Sequence, residues 1–143
     1  MKPIVKNILA IIIGVFAGGA INMSLIMLSS YIIPPPEGAN LLTTEGLKAS
    51  MHLMQPKHFI MPFLAHALGT FAGSLIAAII AAKNKMRIAI GISIWFMIGG
   101  LINIIMLPSP LWFTILDLAG VYLPMGFLAG KLAQLKTKKE ESA

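Results

Sequence analysis

The sequence predicts an all-α polytopic membrane protein. Four transmembrane helices form two parallel-repeated helical hairpins, related by a pseudo-two-fold axis along the membrane normal. Three observations carry this. First, 57% of the 143 residues are apolar and only 11% are charged, with a mean hydropathy of +0.87. That is too little charge to cover a soluble surface. Second, the apolar residues gather in four runs, at about 8–33, 59–82, 88–107 and 111–130. About 20 apolar residues at ~1.5 Å each cross a hydrocarbon core ~30 Å thick, so each run is long enough to span. Third, two short stretches recur. GGAIN at 18–22 is echoed by GGLIN at 99–103, and HALGTF at 66–71 by DLAGVY at 117–122. The first echo lies 81 residues away and the second 51, as a copied hairpin with about 30 extra residues between its first two helices would give. The chain reads as a single domain over 1–143.

The first helix ends at Pro34-Pro35-Pro36, three residues with no amide proton to continue it. Residues 34–58 form the one long loop. Within it, Leu47, Met51 and Met54 stand at i, i+4 and i+7. That stripe predicts a short helix, lying either in the membrane interface or as a lid over a pocket. Pro62 falls in the first turn of the second helix, where proline is tolerated. Pro108-Ser109-Pro110 makes a tight turn between the third and fourth helices. Pro124 lies well inside the fourth helix, leaves the Gly120 carbonyl without its usual donor, and predicts a kink. The tail from 132 to 143 is polar, and a frayed end is expected there. Glycines recur four apart at Gly14 and Gly18, Gly69 and Gly73, and Gly126 and Gly130, a spacing that lets helix backbones approach closely.

Basic residues set the orientation. Lys2, Lys6, Lys83, Lys85, Arg87, Lys131, Lys136, Lys138 and Lys139 fall on one side of a four-pass chain, against Lys48 and Lys57 on the other. Both termini are therefore expected in the cytoplasm, and the chain in the inner (cytoplasmic) cell membrane. The first apolar run extends far beyond a signal-peptide core, so it is read as retained. The pI near 9.9 is then a topology signal. Nucleic-acid binding is not expected, because the charges sit in short flanks rather than on a folded basic face.

The polar residues inside the spans are the informative ones. Asp117 is the only Asp, Glu, Lys or Arg in the four runs. A carboxylic side chain there is costly and goes with a partner or water. Asn103 precedes the Pro108 turn by five residues and Asp117 follows Pro110 by seven, so both lie about 8–10 Å below it. His66 enters the second helix to a similar depth, and Asn22 lies somewhat deeper. The duplication pairs Asn22 with Asn103 and His66 with Asp117. These four are the candidate ligand- or ion-binding residues, with His66 expected to face Asp117. Pro124, Gly120, Thr70 and Tyr122 are the candidate kink and pocket wall.

There is no cysteine, which excludes disulfides and thiolate chemistry. His58 and His66 lie eight residues apart on one helix, about 12 Å in height, too far to share one ion, and no metal or other cofactor is expected. No catalytic motif is present. The expectation is a carrier or channel for a small solute or ion, acting as a homo-oligomer, most simply a dimer, in the lipid bilayer. The alternatives are an accessory or scaffold subunit docking on a larger membrane partner, and, less favoured, a lipid-headgroup enzyme using His66 and Asp117.

Overall fold

The computed structural model describes residues 2–142, apart from the side chains of Glu140 and Glu141. Six α-helices follow one another: α1 (Pro3–Ile32), α2 (Thr44–Ser50), α3 (Ile60–Ile80), α4 (Lys85–Met106), α5 (Leu111–Gly120) and α6 (Tyr122–Glu141). Among the described residues there is no strand. Four spans, Pro3–Ile32, Pro56–Ile80, Lys85–Met106 and Leu111–Lys139, are long and apolar enough to cross a membrane, as a multi-pass membrane protein requires. Large apolar side chains such as Ile4, Phe16, Trp95 and Ile105 are exposed around the bundle, where lipid tails would take the place of water.

The helix ends differ from the expected ones in two places, each for a physical reason. α1 starts at Pro3 rather than near residue 8, because proline is pre-organised for a first helical turn. α6 continues to Glu141, so the tail expected to fray from residue 132 is helical. Its residues are good helix formers, and Ala133 is fully buried with Ala78 and Ala89.

α3 is the hub, packing on α1, α4 and α6, whereas α1 packs on α3 and only grazes α4. Small residues make the seams. A methyl group on Gly14 would come within 2.6 Å of the Gly73 carbonyl oxygen, and one on Gly18 within 2.6 Å of the Gly69 oxygen. The α1 and α3 backbones therefore touch. Gly126 and Gly130 of α6 fit likewise against Ser93, Ala89 and Met86 of α4.

Polar staples hold the turn between α3 and α4. The Asn7 side-chain oxygen accepts from the backbone N–H of Ala82 at 2.9 Å. The Lys85 ammonium donates to the Ala78 and Ile79 carbonyls at 3.0 and 3.1 Å, satisfying acceptors that a helix end leaves open. Asn84 takes the left-handed conformation there, with φ 59°.

At the opposite end, the loop is ordered by its own hydrogen bonds. The Thr43 hydroxyl caps α2 by accepting from the Gly46 N–H at 3.0 Å, and Asn40 N–H donates to the Ser50 hydroxyl at 2.9 Å. Two 3₁₀ turns, Met51–Leu53 and Pro56–Phe59, lead into α3. Phe59 then stacks on Trp112 and Phe113 of α5, with ring centroids 5.5 and 4.8 Å away. That cluster ties the loop to the Pro108–Pro110 turn and roofs one end of the bundle.

Candidate functional site

The fourth span, Leu111–Lys139, is interrupted at the single residue Val121 between α5 and α6, in the turn where a kink was expected. Pro124 has no N–H to offer Gly120, and the regular pattern is interrupted at Val121, whose φ and ψ are −104° and −72°. Val121 N–H still reaches the Asp117 carbonyl at 3.1 Å, and Met125 N–H the Val121 carbonyl at 2.9 Å. The break changes which side chains share a face. In a regular helix, residues five apart are turned about 140° from one another and cannot meet. Across this break the Tyr122 hydroxyl donates to Asp117 Oδ2 at 3.2 Å.

Asp117 has a second partner from α3. His66 Nδ1 lies 3.0 Å from Oδ1 and 2.9 Å from Oδ2. The carboxyl group is 2% exposed and the imidazole 13%. A buried carboxylate is tolerated when charge-assisted hydrogen bonds compensate it, and His66 and Tyr122 supply them. The Tyr122 ring also lies 5.9 Å from the imidazole, centroid to centroid.

Asn103, a sequence-level candidate partner of Asp117, does not bond to it. It is exposed, whereas Asn22 is half-buried. Both line the same cavity as His66, Asp117 and Tyr122. That cavity has a volume of about 900 Å³ and lies between α1, α3, α4 and α5 beneath the loop. Leu47, Met51 and Met54, the apolar stripe of the loop, form part of its cover. Met23 and Met27 of α1 and Ile102 and Met106 of α4 line it while remaining more than half exposed. The cavity is thus open sideways, between the two helices that only graze each other. Gly120 and Pro124 build the break but are not in the wall. Thr70, one turn beyond His66, is also outside the wall. It is buried with no partner for its hydroxyl, as is Ser74.

Sequence reasoning placed Tyr122 in the wall but missed it as the partner of Asp117, and missed Gly100 altogether. A methyl group on Gly100 would overlap the Tyr122 hydroxyl and lie 2.7 Å from the ring carbon that bears it. The signal was the pairing of a glycine with a tyrosine at one depth on adjacent helices. We expect Gly100→Ala to push the phenol off Asp117 and cost about 1.5–3 kcal/mol, the range of a hydrogen bond to a charged group. Unfolding in mixed micelles checks this. Tyr122→Phe should cost about as much, and the double variant should fall well short of the sum.

The glycines of the two echoes do not sit alike. Gly18 is packed and Gly19 is open, whereas Gly99 is open and Gly100 is packed. No protein-family model, curated protein or solved structure matches the chain.

Proposed function

We propose that the protein is a carrier or channel for a small solute or ion, with the cavity beneath the loop as its binding site. The observation that carries this is the convergence of Asn22, His66, Asn103 and Asp117 on one cavity whose floor is a buried, hydrogen-bonded acid–imidazole pair. Ionisable groups inside a span are costly and are characteristic of solute and proton pathways. In this reading His66 and Asp117 handle charge, Asn22 and Asn103 orient the solute, the loop roofs the cavity, and the entrance lies between α1 and α4.

Orientation is part of the proposal. The excess of Lys and Arg at the end that carries both termini argues for cytoplasmic termini in an inner membrane, with the cavity facing outward. So is the duplication. Its support is the two sequence echoes together with the contact between His66 and Asp117. The unequal packing of the glycines argues for divergence since the copy. A homodimer also belongs here, because α1 buries only Ala10, Gly14 and Gly18 and offers its remaining faces to lipid or a second copy.

The direct test is flux. Proteoliposomes enclosing a pH-sensitive dye, challenged in turn with monovalent inorganic cations, amino acids and organic ammonium ions, should show uptake of at least one class. Asp117→Asn should reduce that uptake about tenfold or more, the equivalent of ~1.4 kcal/mol. Equal flux in the two proteins would remove Asp117 from the mechanism.

A further inference from the structure

The cavity wall has a chemistry of its own. Its surface is mainly apolar, with Met23, Met51, Met54, Phe96 and Phe113 prominent. Among its lining residues Asp117 is the only acid, and there is no Lys or Arg. A volume near 900 Å³ falls in the range of small-molecule sites, roughly 300–1,000 Å³. An inorganic cation seeks a shell of about six or more oxygens and would leave such a wall unused. An anion would meet a carboxylate with no Lys or Arg beside it. A neutral lipid chain would fill the apolar part but leave the acid without a role. The occupant that uses both is a cation with an apolar body, its charge beside Asp117 and its body against methionines and ring faces, which attract cations.

We propose that this cavity binds a monovalent organic cation, and that the cation displaces the Nε2 proton of the His66 imidazolium, leaving the Nδ1–H on Asp117. The inference rests on the carrier reading for its purpose and on the cavity alone for its chemistry. With the imidazole protonated, the pair is neutral overall. An ammonium or phosphonium entering beside Asp117 sets two cations against one carboxylate in a medium of low dielectric, where their repulsion is strong. The imidazolium N–H bond breaks, the proton leaves to water, and the nitrogen keeps the electron pair. One cation enters, one proton leaves, and the net charge of the site is unchanged. The other titratable groups on this cavity are Tyr122, bonded to Asp117, and His58 and Tyr31, elsewhere on its wall. His66 Nε2 makes no hydrogen bond among the described residues, so the imidazole can release its proton without first breaking another contact.

Two ions of matched shape and opposite charge test this, tetraphenylphosphonium and tetraphenylborate. Each is titrated by calorimetry into the wild-type protein in lipid nanodiscs, in two buffers of different ionisation enthalpy, with empty nanodiscs as reference. The phosphonium should bind about tenfold or more tighter than the borate, and its binding should release protons. Asp117→Asn should erase the preference, and His66→Gln should keep the preference but lose the proton release. Equal or tighter binding of the borate overturns the charge assignment, and binding of the phosphonium without proton release overturns the exchange. Both comparisons can be read in the wild-type protein, so a variant that fails to fold does not decide the matter. Because binding is measured without flux, cation binding with proton release in a protein that carries nothing would refute the carrier reading alone.

Discussion

His66→Leu and Asp117→Leu should destabilise the bundle by similar amounts, although His66 is the more exposed member of the pair. Removing the imidazole leaves a 2% exposed carboxyl group with Tyr122 as its one remaining hydrogen-bond partner. Deleting one member of a buried pair in soluble proteins costs about 3–5 kcal/mol. Neutral hydrogen bonds within membrane bundles average only ~0.6 kcal/mol, because the unfolded helices also find partners in the bilayer. The carboxyl group can also escape its charge by taking up a proton. These effects together set the expected loss for His66→Leu at about 2 kcal/mol. Asp117→Leu leaves the imidazole at the edge of the cavity and takes the acceptor from the buried Tyr122 hydroxyl, and should also cost about 2 kcal/mol. The double variant should recover part of the loss, since an apolar pair requires no desolvation of charge while the Tyr122 hydroxyl still lacks its acceptor. Reversible unfolding in mixed micelles measures all four proteins. Losses that simply add would mean the two side chains stabilise the bundle independently, contrary to a bonded pair.

The same pair shows how far the sequence could be read. Four spans follow from apolar run length alone, because nothing else in 143 residues competes with that signal. Counting from the Pro108–Pro110 turn to Asp117, and from His58 into the second helix to His66, brings the two to one depth, and the structure places them in contact. The apolar stripe of Leu47, Met51 and Met54 lines the cavity, but of the three only Leu47 stands on α2, since Met51 opens a 3₁₀ turn and Met54 is extended. Tyr122 as the partner of Asp117 was not legible. Helical periodicity puts residues five apart on different faces, and this pair meets where the helix is irregular at Val121. Proline at position 124 announced a disturbance but not its geometry. The helical tail was hidden by its charge, since Lys-rich sequence reads equally as solvated coil or as a helix whose small face, here Ala133, finds a groove. The echo around Asn22 and Asn103 did not reveal which glycine of each pair is packed. That depends on rotation of a helix about its axis, which a five-residue match does not encode.

That last point makes adjacent glycines a decisive comparison. Gly18→Val should disrupt the seam between α1 and α3, and Gly19→Val should not. Both changes add the same side chain to the same turn of the same helix, so intrinsic helix preference cancels. At Gly18 the first added carbon would lie 2.6 Å from the Gly69 carbonyl oxygen and 2.7 Å from the Phe96 ring, whereas at Gly19 it would meet nothing within 4 Å. A phenyl ring can turn aside, but a backbone oxygen in the middle of α3 moves only with its helix. The expected cost at Gly18 is therefore at the upper part of the overpacking range, about 2–3 kcal/mol, against less than about 0.5 kcal/mol at Gly19. The consequence reaches the cavity as well. Asn22 stands one turn beyond Gly18, and its Cβ would lie 2.8 Å from a methyl group on Gly69. The close seam thus sets the position of Asn22 relative to His66, three residues from Gly69 on α3. Cation binding should weaken in Gly18→Val even at temperatures where the bundle remains folded, and should be unchanged in Gly19→Val. Equal stability of the two variants would mean that α1 does not meet α3 through Gly18, and the cavity wall built on that contact would have to be redrawn.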